Sequence, residues 1–159
     1  MVKQLMLKPE KCIGCRTCEV ICSFGKIKAF NPKNSAITVM NFEEAAICVP
    51  VTCLQCEEPT CQMVCPMQAI YKDESGIVHI DQDKCIGCKL CFNACALGNI
   101  GYSPVTHQVF KCNYCHGAPL CAEFCPSGAI IYAEPDEGAG RKQAVAEHFK
   151  EVFGEEAAK

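Results

Sequence analysis

Cys12-Ile13-Gly14-Cys15-Arg16-Thr17-Cys18-Glu19-Val20-Ile21-Cys22 puts four cysteines into eleven residues. The spacing, C-x2-C-x2-C-x3-C, returns unchanged at Cys85, Cys88, Cys91 and Cys95. It returns with a longer middle gap at Cys53, Cys56, Cys61 and Cys65, and again at Cys112, Cys115, Cys121 and Cys125. Sixteen of the seventeen cysteines in the 159 residues fall in these four runs. Their spacing therefore decides what the chain folds around.

The residues between the cysteines order the runs into two kinds. Lys11-Cys12-Ile13-Gly14-Cys15 recurs as Lys84-Cys85-Ile86-Gly87-Cys88. Cys61-Gln62-Met63-Val64-Cys65-Pro66 with Ala69-Ile70 recurs as Cys121-Ala122-Glu123-Phe124-Cys125-Pro126 with Ala129-Ile130. Pro59 and Pro119 each stand two residues before the third cysteine of their run. The order A-B-A′-B′ is that of a tandem duplication. The A runs are offset by 73 residues and the B runs by 59, so the first half carries extra residues within Ser23–Thr52. There, Ala36–Phe42 and Ile47–Val51 read as two strands of a hairpin joined through Glu43-Glu44-Ala45, with Pro50 at an edge. Gly76–Ile80 and Ala129–Tyr132 read as further short strands. Short helices are expected after Cys22, Cys65, Cys95 and Cys125.

Cysteine at about a tenth of a chain signals disulfides or metal. Disulfides call for an oxidising compartment. The N-terminal stretch has no apolar leader core and no twin arginine, and no stretch is long and apolar enough to span a bilayer. The expectation is a reducing cytoplasm; export on a signal-bearing partner stays open. Zinc is the next reading, and a lone C-x2-C pair would favour it. Three thiolates within seven residues, with Cys-Pro closing two runs, are instead the pattern that holds a [4Fe–4S] cluster. His79, His107, His116 and His148 are not paired as Rieske ligands and read as non-ligands. Cys48, outside every run, reads as a small apolar residue; a spare ligand or redox-sensitive thiol is the rival.

Nineteen residues separate Cys65 from Cys85, about the gap of a two-cluster bacterial ferredoxin. In such ferredoxins the fourth cysteine of each run serves the other cluster. The expected sets are then Cys53, Cys56, Cys61 with Cys95, and Cys85, Cys88, Cys91 with Cys65. By elimination the outer runs pair: Cys12, Cys15, Cys18 with Cys125, and Cys112, Cys115, Cys121 with Cys22. The fold class is α+β, with two bacterial-ferredoxin-like modules. One spans 1–30 and 104–133, the other 53–103. A hairpin insert occupies 31–52. A tail, 134–159, carries a helix from Arg141 to Phe153, whose Val145, Phe149 and Val152 stripe covers the protein's own core or docks on a partner.

These motifs resemble the four-cluster iron–sulfur subunit family, over Met1 to about Tyr132. That family includes the small subunits of dimethyl sulfoxide reductase, formate dehydrogenase and polysulfide reductase. Ferredoxin-like partners of hydrogenases, carbon monoxide dehydrogenases and tungsten aldehyde oxidoreductases are similar. The resemblance implies the same outer-with-outer pairing. It also implies an electron-transfer subunit beside a catalytic one, of W/Mo-pterin type. The absence of a C-terminal membrane helix points to a soluble complex such as an aldehyde oxidoreductase.

Charge and motifs exclude other classes. The formal net charge is −3, and four clusters at about −2 each would add about −8, which disfavours nucleic acid. No phosphate-binding loop, dinucleotide fingerprint or nucleophile–base motif is present, so the chain reads as non-catalytic. Glu43-Glu44 and Glu57-Glu58 read as solvated charge. Lys11, Lys84, Lys89 and Lys111 could offset cluster charge, but each taken singly reads as an ordinary solvated lysine. The rivals are a diffusing polyferredoxin, a protein whose clusters only brace the fold, and copies that associate end to end.

Overall fold

The computed structural model describes residues 3–104 and 106–134. Its strands are β1 (Gln4–Leu7), β2 (Ile37–Phe42), β3 (Ile47–Thr52), β4 (Ile70–Lys72), β5 (Val78–Ile80), β6 (Ile100–Ser103), β7 (Gln108–Lys111) and β8 (Ile130–Ala133). Its helices are α1 (Thr17–Ile27), α2 (Thr60–Met63), α3 (Leu90–Ala94) and α4 (Leu120–Glu123). The strands form four antiparallel pairs: β1 with β8, β2 with β3, β4 with β5, and β6 with β7. Two-stranded ribbons do not hold alone in water, so each must pack on something else. What they pack on is cysteine.

The pairing of β1 with β8 joins the two ends of the described chain. Leu7 lies opposite Ile130 and Leu5 opposite Tyr132, and the Lys8 N–H donates to Ala129 O at 2.7 Å. The same arrangement recurs inside the chain. Ile80 lies opposite Ile70, and the Asp81 N–H donates to Ala69 O at 2.7 Å.

Two apolar cores follow from these ribbons. In one, Cys18, Cys22, Ile37, Val39, Cys121 and Ile130 are buried together. In the other, Ile70, Val78, Cys91, Ile100 and Val109 are buried together. Alternation explains the contributions: Ile37 and Val39 point inward from β2 while Thr38 and Met40 face water. A smaller cluster of Ile77, Cys112 and Tyr114 touches Cys53 and Tyr132 and lies between them.

The hairpin read from Ala36 to Val51 forms, as β2 and β3 joined by a 3-10 turn at Glu43–Ala45. Pro50 faces Val39 in a two-stranded ribbon, so its missing N–H costs no interior ladder bond. A hairpin also follows the third run, β6 with β7, where the sequence pattern marks none. The first half therefore differs by longer elements rather than by an added hairpin. Its helix has 11 residues against 5 in α3, and its strands 6 against 4.

The helices lie elsewhere than expected. Rather than following the fourth cysteine of each run, they carry the third and stop at or before the fourth in three runs. The reason is local. Pro59 and Pro119 sit at the N-caps of α2 and α4, where a missing N–H is harmless. In the first run α1 continues through Cys22 to Ile27. The expected break at 103/104 falls inside the β6–β7 hairpin, and Val109 packs with Ile70, Val78 and Ile100. The helix read from Arg141 to Phe153 lies outside the described residues.

Candidate iron–sulfur centre

Each run begins with a tight reversal of the chain. The second residue between the first two cysteines has positive φ in all four runs: Gly14 (68°), Gln55 (50°), Gly87 (67°) and Tyr114 (52°). This left-handed turn folds both cysteines toward one side. In the A runs the glycine adopts it freely, while Gln55 and Tyr114 each carry about 1–2 kcal/mol of strain. Gly14 has a second reason to lack a side chain, because a Cβ there would lie 2.8 Å from the Cys48 Sγ. Cys48 is thus a half-buried neighbour of the first turn, packed against the outer core.

The fourth cysteines share another device. Gln68, Gly98 and Gly128, each three residues after a fourth cysteine, have positive φ of 49°, 63° and 66°. Their N–H groups donate to the cysteine carbonyls. This turn aims the next N–H at sulfur: Ala69 N donates to Cys65 Sγ at 3.3 Å, and Asn99 N to Cys95 Sγ at 3.3 Å. Cys125 Sγ receives the Ala129 N–H and the Ser127 hydroxyl. Cys22, inside a helix, lacks that turn and takes its bond from the Ala36 N–H at 3.4 Å. These donors stabilise negative charge on sulfur. At Cys125, burial pushes the thiol up, but the N–H groups of Ile130 and Ala129 and the Ser127 hydroxyl outweigh it and hold the thiol below its ordinary value.

The thiols gather across runs. Cys53, Cys56, Cys61 and Cys95 line one cavity with Pro59, Val78 and Lys111. Cys65, Cys85, Cys88 and Cys91 line another with Ile70, Ile80 and Val109. Cys22, Cys112, Cys115 and Cys121 line a third with Ile37 and Pro119. Cys12, Cys18 and Cys125 share the outer core, and the charges of Cys15 and Cys12 reach Cys18. Among the described residues, no three His, Cys, Asp or Glu side chains converge on a point one ion would fill. The thiols border spaces instead.

Burial sets the chemistry of these thiols. It pushes the Cys18 thiol up to about 12, helped by the charge of Glu19. It pushes Cys91 up to about 11, against a bond from the Phe92 N–H. Cys121 and Cys112 are also raised, first by burial. Packed thiolates in apolar walls need a cation to share. A soft, multi-iron group supplies it, so the residues present fit a [4Fe–4S] cluster.

The charged residues singled out in the sequence divide. Lys11 is exposed, and Lys84 pairs with Asp81 at 3.3 Å near the surface. Lys89 lies 3.7 Å over the Tyr102 ring. Lys111 departs from the solvated reading, being 4% exposed. The acid pairs Glu43-Glu44 and Glu57-Glu58 face water. His79 bonds Asp73 at 2.7 Å, His107 meets Tyr102 at 3.2 Å and His116 meets Asn113 at 3.2 Å. His148 lies outside the described residues. Sequence reasoning missed Gln55, whose side chain ties the second run to the fourth. Its positive-φ position in a C-x2-C turn is the one signal that could have marked it.

Cysteines grouped in fours on short helix-and-hairpin units define a ferredoxin-like iron–sulfur protein. Residues 44–135 match the 4Fe-4S dicluster domain family, and residues 9–25 match a 4Fe-4S binding domain. The chain belongs to the 4Fe-4S dicluster domain family. It is 35% identical to the thiosulfate reductase electron transfer subunit of Salmonella typhi, over 84% of this chain and 77% of that protein. It is 31% identical to a subunit of the anaerobic dimethyl sulfoxide reductase of Escherichia coli, over 80% and 71%. It is 38% identical to the polyferredoxin-like subunit of an aliphatic sulfonate oxidoreductase from Pyrococcus furiosus, over 76% and 70%. Its fold is similar to that of a subunit in the BamBC active site complex of benzoyl coenzyme A reductase. The TM-score is 0.50 at 24% identity, over 99% of this chain and 94% of that one. Among the described residues no helix is long and apolar enough to cross a membrane.

Proposed function

We propose that this chain is the electron-transfer subunit of an oxidoreductase complex and carries four [4Fe–4S] clusters. The ligand sets are Cys12, Cys15, Cys18 with Cys125; Cys53, Cys56, Cys61 with Cys95; Cys85, Cys88, Cys91 with Cys65; and Cys112, Cys115, Cys121 with Cys22. Two modules arose by tandem duplication, one around the first and fourth runs and one around the second and third runs with the β6–β7 hairpin, and the longer β2–β3 hairpin packs on the outer one. The observation that carries this reading is the grouping of cysteines from different runs around common spaces.

A [4Fe–4S] cluster, when bound, supplies one-electron exchange at a potential set by charge, hydrogen bonds and exposure. The chain's own part is to hold and insulate. Val78, Ile70 and Val109 exclude water from the inner sites. The N–H donors on the fourth cysteines offset negative charge at sulfur. Ile13, Leu54 and Ile86 follow the first cysteines of three runs and are 67%, 65% and 65% exposed. Apolar side chains held in water beside a redox loop suit contact with a partner. In the fourth run the same position is Asn113, half-buried at the joint between modules.

The relatives named as reductase subunits support a catalytic partner. We assign it to the W/Mo-pterin class, with an aldehyde oxidoreductase as the specific expectation, in the cytoplasm. A hydrogenase or carbon monoxide dehydrogenase partner, a diffusing polyferredoxin, and end-to-end self-association are its rivals. The test is metal analysis of the native complex recovered through a tag on this chain. Molybdenum or tungsten beside the iron supports the assignment. Nickel points to the other enzyme classes. Iron alone on a chain with no second subunit overturns the subunit reading.

A further inference from the structure

A lysine withdrawn from water needs a negative charge nearby, and among the described residues Lys111 forms an ion pair with no carboxylate. It ends β7 and is 4% exposed. Its Nζ donates to Val78 O at 2.5 Å, Cys112 O at 2.7 Å and Gln55 Oε1 at 3.2 Å. All three acceptors are neutral. The ion pairs found among the described residues are His79 with Asp73 and Lys84 with Asp81, and neither includes Lys111. A second cation adds to the problem: Lys26 Nζ donates to Lys111 O at 2.8 Å. Two ammonium groups thus bond the carbonyls of neighbouring residues, Lys111 and Cys112, and among the described residues neither forms an ion pair with a carboxylate. A buried charge left in this state is strongly unfavourable.

The missing charge has a place. Lys111 lines the cavity bordered by Cys53, Cys56, Cys61 and Cys95. Burial raises the Cys61 thiol, and Lys111 is the first influence opposing that rise. The carbonyl of Cys112 turns toward the ammonium, so the same cation sits at the backbone of the fourth run.

We propose that Lys111 is the fixed counter-charge of the cluster held by Cys53, Cys56, Cys61 and Cys95, and that it raises the reduction potential of that centre. This rests on the ligand sets given above. A four-thiolate cluster gains one negative charge when it accepts an electron, so a cation in a low-dielectric wall favours the reduced form. Lys111 is a positioning residue: it sets the level at which an electron rests beside the joint of the two modules.

The experiment is a potentiometric titration of the holo-protein, followed by electron paramagnetic resonance, on Lys111→Gln and Lys111→Arg. The signal belonging to this centre is the one lost in Cys56→Ser. Glutamine keeps a donor and removes the charge; arginine keeps the charge. In Lys111→Gln that signal moves to lower potential by at least a tenfold change in the oxidised-to-reduced ratio, about 59 mV for one electron, and Lys111→Arg stays near the parent. Loss of iron in the glutamine variant with retention in the arginine variant also supports the role. An unmoved potential in Lys111→Gln overturns it, as does an equal shift or an equal loss of iron in both. Failure of the ligand sets would show separately, as Cys56→Ser and Cys95→Ser removing different signals.

Discussion

The side-chain Nε2 of Gln55 donates to the carbonyl of Cys112 at 2.8 Å, across 57 positions of sequence. Its Oε1 accepts from the Val78 N–H at 2.9 Å and from Lys111 Nζ at 3.2 Å. One amide therefore fastens the second cysteine run, the fourth run and β5 together, at the place where the two cores meet. Gln55→Leu leaves the buried Val78 N–H without its acceptor, at about 1–3 kcal/mol, and takes one of two donors from Cys112 O and one of three acceptors from Lys111 Nζ. Gln82 also bonds a carbonyl, Val109 O at 2.9 Å, but from an exposed position. Thermal unfolding of the holo-proteins should show a clear drop for Gln55→Leu and little change for Gln82→Leu. Equal drops would mean the joint is not special.

Crossed ligation separates two cysteines that lie four residues apart. Cys18 and Cys22 are both buried on α1, yet the ligand sets give them to different clusters. Cys22→Ser should remove the cluster of Cys112, Cys115 and Cys121, with about four iron lost per chain, and spare the signal that depends on Cys12. A Cys22→Ser protein that loses the Cys12-dependent signal instead would show ligation within each run.

Gly14 meets two constraints at once, a φ of 68° and a Cβ position 2.8 Å from the Cys48 Sγ. Gly14→Ala should therefore cost about 1–2 kcal/mol in backbone strain plus the clash. Adding Cys48→Ala removes the sulfur and should restore part of the stability. Gly98→Ala, with φ 63° and open space around it, should show the strain alone. If Cys48→Ala brings no recovery, contact with the first turn is not what fixes Gly14.

Cluster assembly must deprotonate thiols that burial has made reluctant, Cys18 at about 12 and Cys91 at about 11 against an ordinary 9.0. At neutral pH these groups hold protons in the apo chain, and ligation releases them. The apo form therefore binds more protons than the loaded form, and loading is favoured as pH rises toward the thiol values. Iron incorporation into the apo chain under anaerobic conditions should increase from pH 7 to pH 9, with protons released into a weakly buffered solution. Incorporation that is flat or falls over this range would contradict the thiol assignment.

The cysteine positions and the long hairpin were legible because each rests on a local signal. Spacing alone marks the runs, and β-branched residues from Ile37 to Val39 mark β2. The partnership of β1 with β8 was not legible, since Leu5 finds Tyr132 across almost the whole described chain. The placement of α2, α3 and α4 was not legible because four or five residues carry no period. In β6 and β7 the signal was weak for another reason. Gly101 packs under the Phe110 ring, which a Cβ would overlap, so a residue poor in strand propensity is required there by packing. Lys111 was misread because a lysine defaults to water unless something anionic draws it in. In this fold the anion is expected in a cavity built by other runs.

The central claim is that four cysteine sets hold four redox-active clusters. The direct measurement is iron and acid-labile sulfide per chain in anaerobically purified protein, with reductive titration followed by electron paramagnetic resonance. The account predicts about sixteen iron and sixteen sulfide per chain and signals that accept electrons one at a time. Zinc in place of iron, or iron that does not change on reduction, would contradict it.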